Sequence, residues 1–420
     1  MKRPTIASLK KVTAANLAGL GAERLAEILV SVAETRPDLK RRLRMELAAE
    51  QGPEHLISEI DKRLGSLETS RGKITWRQRP AFVRDLDALR GLIAERLAGL
   101  DRTAALGRMW PYMATAPAVD RRYRDRDGAV AAVYAHAAAD LGRLLAGHDA
   151  QLAANVLVEA ISSNPYAWAQ WLPQTLSSIS RPMAEAALRL MSERRRDGPG
   201  WLTLVRHLAD AADNIDAFRA TYTADALENP SVAVELAKRY LAADRVEEAG
   251  AILRGAAPKP SGRQGRLPAP DFEWESAWIQ YLDRTGEAAT AQAVRWVSFE
   301  RTLDIDRAKA FAARLTDFAD VEAEVRAFEH AASHSDFKRG LRFLMSWPAL
   351  PEAARMIQSR PDEVEADPDE AELWAAKLRR RQPKAAYLLL RRVAASAFRR
   401  RDFKTCERLT QEAETIPIFP

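Results

Sequence analysis

Apolar side chains recur along this chain at the spacing that marks one face of an α-helix. One stripe consists of Leu25, Ile28, Leu29 and Val32, and a second consists of Phe82, Leu86, Leu89, Ile93 and Leu97. Because about 3.6 residues complete a helical turn, each stripe lines one face, and we expect each face to pack against a neighbouring helix. No persuasive run alternates apolar and polar residues between turn signals, as a β-strand would. The pattern predicts an all-α protein.

Prolines divide this pattern into helices of ordinary length. The prolines that stand between periodic segments are Pro37, Pro53, Pro165, Pro182, Pro230, Pro348, Pro361 and Pro383. Proline suits the first turn of a helix, where its missing N–H has no helical partner, and it breaks a helix interior. The resulting helices have roughly 11 to 20 residues. Joined by short corners, they should form stacked antiparallel pairs, as in an α-solenoid.

The stretch LAKRYLAADRVEEAGAILRGAAPKP at 236–260 shows one such pair. We expect Leu236 and Tyr240 to be buried, and Ala237 and Ala249 to be small because the two helices approach closely there. This order of large and small residues, closed by prolines, resembles a tetratricopeptide repeat, whose unit is about 34 residues. The stretch therefore predicts a tetratricopeptide-like array of helix pairs.

The corner of this pair carries a capping pattern. Asp244 is placed to cap the second helix, with Glu247 three residues on as the reciprocal member of a capping box. Looser copies of the pair recur around Gly142, Tyr281 and Phe403. Their uneven spacing predicts a stack of helix pairs more strongly than a strict repeat.

One segment interrupts the helical pattern. PKPSGRQGRLPAPD, at 258–271, contains four prolines and two glycines among polar residues, a composition typical of an extended, solvated connection. We predict an N-terminal helical array at 1–256, a connection at 257–271 and a C-terminal helical-repeat array at 272–420. The alternative is that the connection is a long loop inside one continuous solenoid.

Composition narrows the class of protein. The chain has 420 residues, is 47% hydrophobic and contains 19 glycines, which favours a large helical core over turn-rich β structure. Its 64 basic and 58 acidic residues leave a net charge of +6, too small by itself to indicate a partner. The single cysteine, Cys406, excludes an internal disulfide framework and a cysteine-based zinc cage.

No targeting or membrane-spanning segment is evident. The N-terminus lacks an apolar stretch of signal-peptide length, and charged residues interrupt every candidate for an apolar run of about 18 residues. We expect a cytoplasmic protein without a membrane partner, as a monomer or weak dimer.

Several strings carry a resemblance over almost the full length of the chain. They include LGAERLAEIL, WRQRPAF, YLDRTGEAATAQAVRW and YLLLRRVAASAFRRRDFKTCERL. By these strings the chain resembles an uncharacterised family of bacterial proteins, a domain of unknown function with tetratricopeptide-like helices. The resemblance implies a helical-repeat fold and supplies no activity or ligand.

Familiar catalytic and cofactor motifs are missing. GLGAER at 19–24 begins like a dinucleotide fingerprint but lacks the third glycine and a preceding strand, so we expect a helix start there. The P-loop, nucleophile-elbow and H-E-x-x-H patterns do not occur. Cys406 has no histidine near it in sequence and is expected to pack. The sequence predicts no catalytic residue and no cofactor.

His330 and His334 are the only histidines at the i, i+4 spacing of a helical zinc pair. A third ligand would have to come from Glu329, Asp336 or a distant carboxylate. The alternative, which we favour, is a helix corner in which His334 ends one helix and Asp336 caps the next. We therefore expect no bound metal.

Two features are candidates for partner binding. Trp168 and Trp171 either pack in the core or line an exposed groove. Lys384, Arg391 and Arg392 share one helix face with Arg399, opposite an apolar face that should dock. This basic face is either solvated and partly neutralised by an acidic neighbour, or it holds an acidic peptide or phosphates.

These observations favour a non-catalytic scaffold that binds a protein or peptide partner along its stacked helices. Binding of nucleic acid or another polyanion through basic helix faces is the alternative. An enzyme ranks third, because no constellation of residues with recognisable catalytic roles appears.

Overall fold

A computed structural model gives the structure of residues 12–194, 198–259, 268–316 and 318–417. All regular secondary structure in these residues is helical, and they contain no strand. The all-α prediction is confirmed. The chain forms two compact units, Met1–Tyr222 and Thr223–Pro420, which are described separately.

The first unit is a succession of helices joined by short corners. Its α-helices are α1 Ala14–Ala18, α2 Ala22–Thr35, α3 Pro37–Gln51, α4 Pro53–Thr69, α5 Arg79–Gly91, α6 Ala98–Leu100, α7 Arg102–Ala114, α8 Ala116–Asp120, α9 Ala129–Leu145, α10 Ala150–Ser163, α11 Pro165–Leu176, α12 Arg181–Glu193, α13 Pro199–Ala211 and α14 Ile215–Arg219. A π-helical stretch, Leu92–Leu97, joins α5 to α6. Alternate helices pack together, α9 on α11, α10 on α12 and α11 on α13.

The second unit continues with helices of similar length. They are α15 Ala224–Leu227, α16 Pro230–Ala242, α17 Val246–Gly255, α18 Phe272–Thr285, α19 Ala288–Thr302, α20 Ile305–Ala312, α21 Ala319–Ser333, α22 Phe337–Ser346, α23 Leu350–Ser359, α24 Pro368–Leu378, α25 Pro383–Arg399 and α26 Phe403–Glu414. Each packs on the next from α16 to α26, and α16 also packs on α18 and α21 on α23.

Proline marks the helix starts as expected. Among the prolines singled out in the sequence, those that begin an α-helix are Pro37, Pro53, Pro165, Pro230 and Pro383. At this position the ring needs no hydrogen-bond donor, and its φ is already close to the helical value.

One of the two apolar stripes is buried and the other is not. Leu86, Leu89 and Leu97 lie in the core of the first unit, as predicted. On α2, however, Ile28 is 39% exposed and Val32 is 41% exposed, so the expectation that a neighbour covers this stripe is wrong. α2 packs against α1 and α3, and among its residues these contacts bury only Ala33, so Ile28 and Val32 stay exposed.

The helix pair at 236–260 forms as predicted, except at its corner. Leu236, Tyr240, Ala237 and Ala249 are all buried. Asp244 does not cap the second helix: its φ is 61°, its carboxylate contacts Arg284, and α17 begins without a side-chain cap. The capping-box prediction is therefore wrong, because Arg245 occupies the N-cap position and the Asp244 carboxylate binds Arg284 instead.

The Pro/Gly-rich segment 257–271 lies within the second unit, and 260–267 of it lies outside the described residues. The helices on either side of the segment pack directly together. Trp274 Nε1 of α18 donates a hydrogen bond of 3.1 Å to the carbonyl oxygen of Leu253 of α17.

Candidate functional site

An apolar opening of the first unit lies where α7, α10 and α11 meet. It has a volume of about 810 Å³ and is lined by Trp110, Trp168 and Trp171 together with Val156 and Ala160. Trp168 is buried and Trp171 is half-buried, whereas Val156 is exposed. We call this opening the tryptophan groove.

Local sequence explains how α11 presents its two tryptophans. Pro165 occupies the first turn of the helix, and the Asn164 side chain caps it by accepting a 3.3 Å hydrogen bond from the backbone N–H of Ala167. Residues three apart on a helix lie on the same face. Trp168 and Trp171 therefore project together, with their rings edge to face and their centroids 5.8 Å apart.

The rings of the groove belong to a longer aromatic cluster that holds them in place. Trp110 lies 5.9 Å from Trp168, and Tyr134 lies 6.0 Å from Trp171, between ring centroids. Tyr134 in turn packs 5.5 Å from Tyr112. Such aromatic contacts add to the stabilisation from burial. The groove thus rests on packed side chains that fix its rings before any ligand binds.

The two tyrosines of this cluster are neutral anchors. The Tyr112 hydroxyl donates to the carbonyl oxygen of Leu86 at 3.1 Å, and the Tyr134 hydroxyl lies 2.7 Å from the hydroxyl of Thr115. Burial raises the pKa of both tyrosines above the ordinary value. Both groups therefore remain protonated at neutral pH and add no charge to the aromatic cluster.

The edge of the groove is polar. Arg194 pairs with Glu159 at 3.1 Å and donates a 2.7 Å hydrogen bond to the hydroxyl of Ser162. Asn155, which is exposed, makes no hydrogen bond through its side chain within the described residues. Beside the apolar opening, the edge therefore has an ion pair whose charges cancel and one side-chain amide, that of Asn155, without a hydrogen-bond partner in the described part of the chain.

The sequence left open whether Trp168 and Trp171 pack in the core or line a groove. Trp168 lies in the core, and both rings line the groove. Sequence reasoning missed Trp110. It lies far from α11 in the chain, and only the packing of α7 places it beside Trp168.

The basic residues predicted on one helix face lie on α25. Lys384, Arg391 and Arg399 are exposed, and none of them has a carboxylate within 4.0 Å among the described residues. Arg392 is half-buried and pairs with Asp362 at 2.9 Å. On the opposite side the apolar residues predicted to dock are buried: Ala386, Leu389, Leu390, Val393 and Ala397. The helix orientation is as predicted, and one of the four cations is neutralised by a neighbour.

His330 and His334 lie near each other at a helix corner. Their ring centroids are 6.1 Å apart. His330 Nε2 is 2.8 Å from the carbonyl oxygen of Glu300, and His334 Nδ1 accepts a 3.1 Å hydrogen bond from the N–H of Asp336. The Asp336 carboxylate caps α22 by accepting from the N–H of Arg339 at 3.0 Å. A nitrogen of each ring thus has a backbone partner. His334 ends α21 and Asp336 caps α22, as in the helix-corner alternative.

Two further properties concern ligands and membranes. Within the described residues, no three histidine, cysteine or carboxylate side chains come together as a metal ion would require. In the same part of the chain, no helix has both the length and the apolar character needed to cross a bilayer.

Comparison with known proteins identifies the family. A family of unknown function, DUF6880, matches residues 7–197 and again residues 173–416. The chain belongs to this family. A search of curated proteins finds no match. Membership in DUF6880 thus covers nearly the whole chain and brings no activity with it.

Proposed function

We propose that this member of DUF6880 is a non-catalytic, tetratricopeptide-like scaffold of the cytoplasm whose tryptophan groove binds a peptide segment of a protein partner. The observation that carries the proposal is the groove itself, where three tryptophans line an opening of about 810 Å³. Tryptophan is enriched at the energetic centres of protein interfaces, because its large rigid ring buries much apolar surface. The groove suits an apolar or aromatic anchor side chain.

The order of helix contacts supports the solenoid part of the proposal. In a stack of helix pairs, equivalent helices of successive pairs lie side by side, so each helix contacts the next but one. The first unit has this arrangement at α9 with α11, α10 with α12 and α11 with α13. Stacks of this kind present continuous surfaces on which extended or helical peptides bind.

The apolar surface continues beyond the groove, which favours a peptide over a small molecule. Leu152 and Val156 stand one turn apart on α10 and are 66% and 46% exposed. A small molecule in the groove would leave Leu152 in water, whereas a peptide several residues long covers both. The unused amide of Asn155 lies between them in sequence and can hydrogen-bond to a peptide backbone.

A selection experiment tests this function. Peptides are selected from a random displayed library against the intact chain, and the affinity of a selected synthetic peptide is measured by calorimetry. Val156→Glu places a charge at the apolar opening and should weaken binding by about tenfold or more. Val297→Glu makes the same change at a valine of α19 in the second unit that is 61% exposed, and it should leave the affinity unchanged.

The outcomes separate the groove from any other surface. Loss of affinity with Val156→Glu alone supports the proposal. Selection of no peptide, or equal affinities for the parent and Val156→Glu, contradicts it.

Polyanion binding by the basic face of α25 has weaker support. The pairing of Arg392 with Asp362 removes one of its four cations from ligand binding. The remaining three cations are exposed, as on an ordinary solvated helix face.

A further inference from the structure

Two loops of the first unit lie side by side and are joined through their backbones. The N–H of Ile74 donates a 3.1 Å hydrogen bond to the carbonyl oxygen of Arg122, and Arg122 Nε donates a 2.9 Å bond to the carbonyl oxygen of Gly72. Ile74 and Tyr123 are buried beneath the contact. The segments 70–79 and 120–127 therefore form one surface.

This surface concentrates positive charge. Its eight basic residues are Arg71, Lys73, Arg77, Arg79, Arg121, Arg122, Arg124 and Arg126, against three acidic residues, Asp120, Asp125 and Asp127. None of the eight basic side chains has a carboxylate within 4.0 Å in the described parts of the chain. The surface therefore carries a net positive charge, which is electrostatically complementary to a polyanion.

Several arginines elsewhere in the same unit pair with carboxylates. Arg63 and Arg90 pair with Asp85 and Asp140, and Arg108 pairs with Asp61 at 3.1 Å. On the basic surface three guanidinium groups, those of Arg77, Arg79 and Arg122, lie over aromatic rings instead. Arg79 lies 5.3 Å from the ring centroid of Tyr123, and its contact leaves the positive charge uncompensated.

Trp76 stands on this surface and is 72% exposed, whereas the other nine tryptophans, all within the described residues, are buried or half-buried. The turn that carries it is held by Gln78, whose side-chain oxygen accepts hydrogen bonds from the N–H of Thr75 at 3.1 Å and from its hydroxyl at 2.9 Å. Arg77 lies 5.2 Å from the centroid of the Trp76 ring. An ordered turn thus presents a flat apolar ring among free cations.

A pocket lies among the cations of this surface. It has a volume of about 680 Å³ and is lined by Arg71, Arg121 and Arg122 with Glu68, Thr69 and Ser70. Three guanidinium groups around one opening supply the planar, forked donors that suit phosphate oxygens.

We propose that this surface, the Trp76 surface, binds single-stranded nucleic acid, with Trp76 stacking on a base and the surrounding cations contacting the phosphates. Proteins that bind single strands combine a basic path for the backbone with aromatic rings on which bases stack. A duplex buries its base faces and offers none to Trp76. A membrane surface would also attract the cations, but Trp76 is the only large apolar side chain exposed on these two segments.

Fluorescence anisotropy of a dye-labelled oligothymidine of about 15 nucleotides tests the proposal with the full chain. Trp76→Ala should weaken binding about tenfold, because stacking on one base is lost. A triple variant, Arg71→Ser, Arg121→Ser and Arg124→Ser, should lower the slope of log affinity against log salt by about two, as three phosphate contacts disappear. All four residues are exposed, so the unfolding midpoint should not change.

A matched control removes the same charge from the second unit. The triple variant Lys384→Ser, Arg391→Ser and Arg399→Ser should bind the oligonucleotide as the parent does. If both triple variants weaken oligonucleotide binding equally, overall charge explains the effect, and the proposal is overturned.

Other results decide against the proposal as clearly. Absence of binding at low salt overturns it, as does an affinity that Trp76→Ala leaves unchanged. Duplex DNA that binds more tightly than the single strand contradicts the stacking role. Binding to vesicles containing anionic lipid, lost in Trp76→Ala while the oligonucleotide fails to bind, assigns the surface to a membrane instead. RNA and DNA oligonucleotides of the same sequence distinguish the two kinds of strand.

Discussion

Gly142 of α9 lies directly against the backbone of Thr175 of α11. A Cβ atom at position 142 would stand 2.2 Å from the carbonyl oxygen of Thr175, closer than any real Cβ contact. Since α11 also carries Trp168 and Trp171, the close approach that Gly142 permits sets the position of the tryptophan groove. A glycine with an ordinary helical backbone is needed here for space rather than for conformational freedom.

Gly142→Ala should therefore destabilise the protein by about 1 to 3 kcal/mol, because the added methyl group forces α9 and α11 apart. Denaturant unfolding followed by circular dichroism measures the change. Gly107→Ala is the control: Gly107 lies in α7 of the same unit with no atom within 4 Å of an added Cβ, so alanine should be neutral or stabilise by less than about 1 kcal/mol. Equal unfolding midpoints for the two variants would contradict the close contact between α9 and α11 at Gly142.

Ala249→Leu should destabilise the second unit by about 1 to 3 kcal/mol. Ala249 is fully buried on α17, which packs against α16 and α18, so the larger side chain has no space. Ala251→Leu, on the exposed side of the same helix, makes the same change in solvent and should leave stability nearly unchanged. Thermal unfolding of the two variants compares them, and a midpoint for Ala249→Leu equal to that of the parent would contradict the close packing.

The stability of the first unit should decrease on acidification because of His207. Burial lowers the pKa of this imidazole below the ordinary 6.5, Asp210 opposes the shift, and Arg206 adds to it. The native state thus binds the proton less readily than the unfolded state does. The stabilisation is fully present above the unfolded-state pKa and is lost as the pH falls below it.

His207→Gln should therefore flatten the dependence of unfolding free energy on pH between about 7.5 and 5.5, the range in which histidine titrates. Urea unfolding at several pH values measures it. A pH dependence in His207→Gln equal to that of the parent would rule out the burial of His207 as its cause.

Reversing Arg391 and Arg392 to glutamate should leave binding of a single-stranded oligonucleotide at low salt unchanged, because we place the binding surface in the first unit. Arg392 already pairs with Asp362, and loss of one surface ion pair costs at most about 1 kcal/mol of stability. Anisotropy at two salt concentrations checks the prediction. A clear loss of affinity would instead assign the polyanion site to α25.

Much of the helical architecture was accessible from the sequence, since its determinants are local. Apolar spacing and proline at the first turn act over three or four residues, so they predicted an all-helical chain and helix starts such as Pro165 and Pro383. The small residues Ala237 and Ala249 were recognised for the same reason: a pair of adjacent helices joined by a short corner leaves its contacts close together in sequence.

The capping of helices was predictable only in part. Asp336 caps α22 as its position suggested, whereas Asp244 adopts a φ of 61° and contacts Arg284. A cap depends on the backbone angles of two or three residues, and a contact with a helix distant in sequence is enough to change them. The same limit applies to α2, whose apolar stripe is exposed because only tertiary packing decides which faces are covered.

The candidate sites depended most on tertiary structure. The sequence by itself placed Trp168 and Trp171 on one helix face and grouped the cations of α25, since both relationships lie within a single helix. Only the fold brought Trp110 to Trp168, and only the fold joined the loop of Trp76 to that of Arg122. Periodicity reports the order of residues on one element, whereas a binding surface is formed by residues from several elements. Their meeting is determined by the packing of the whole unit.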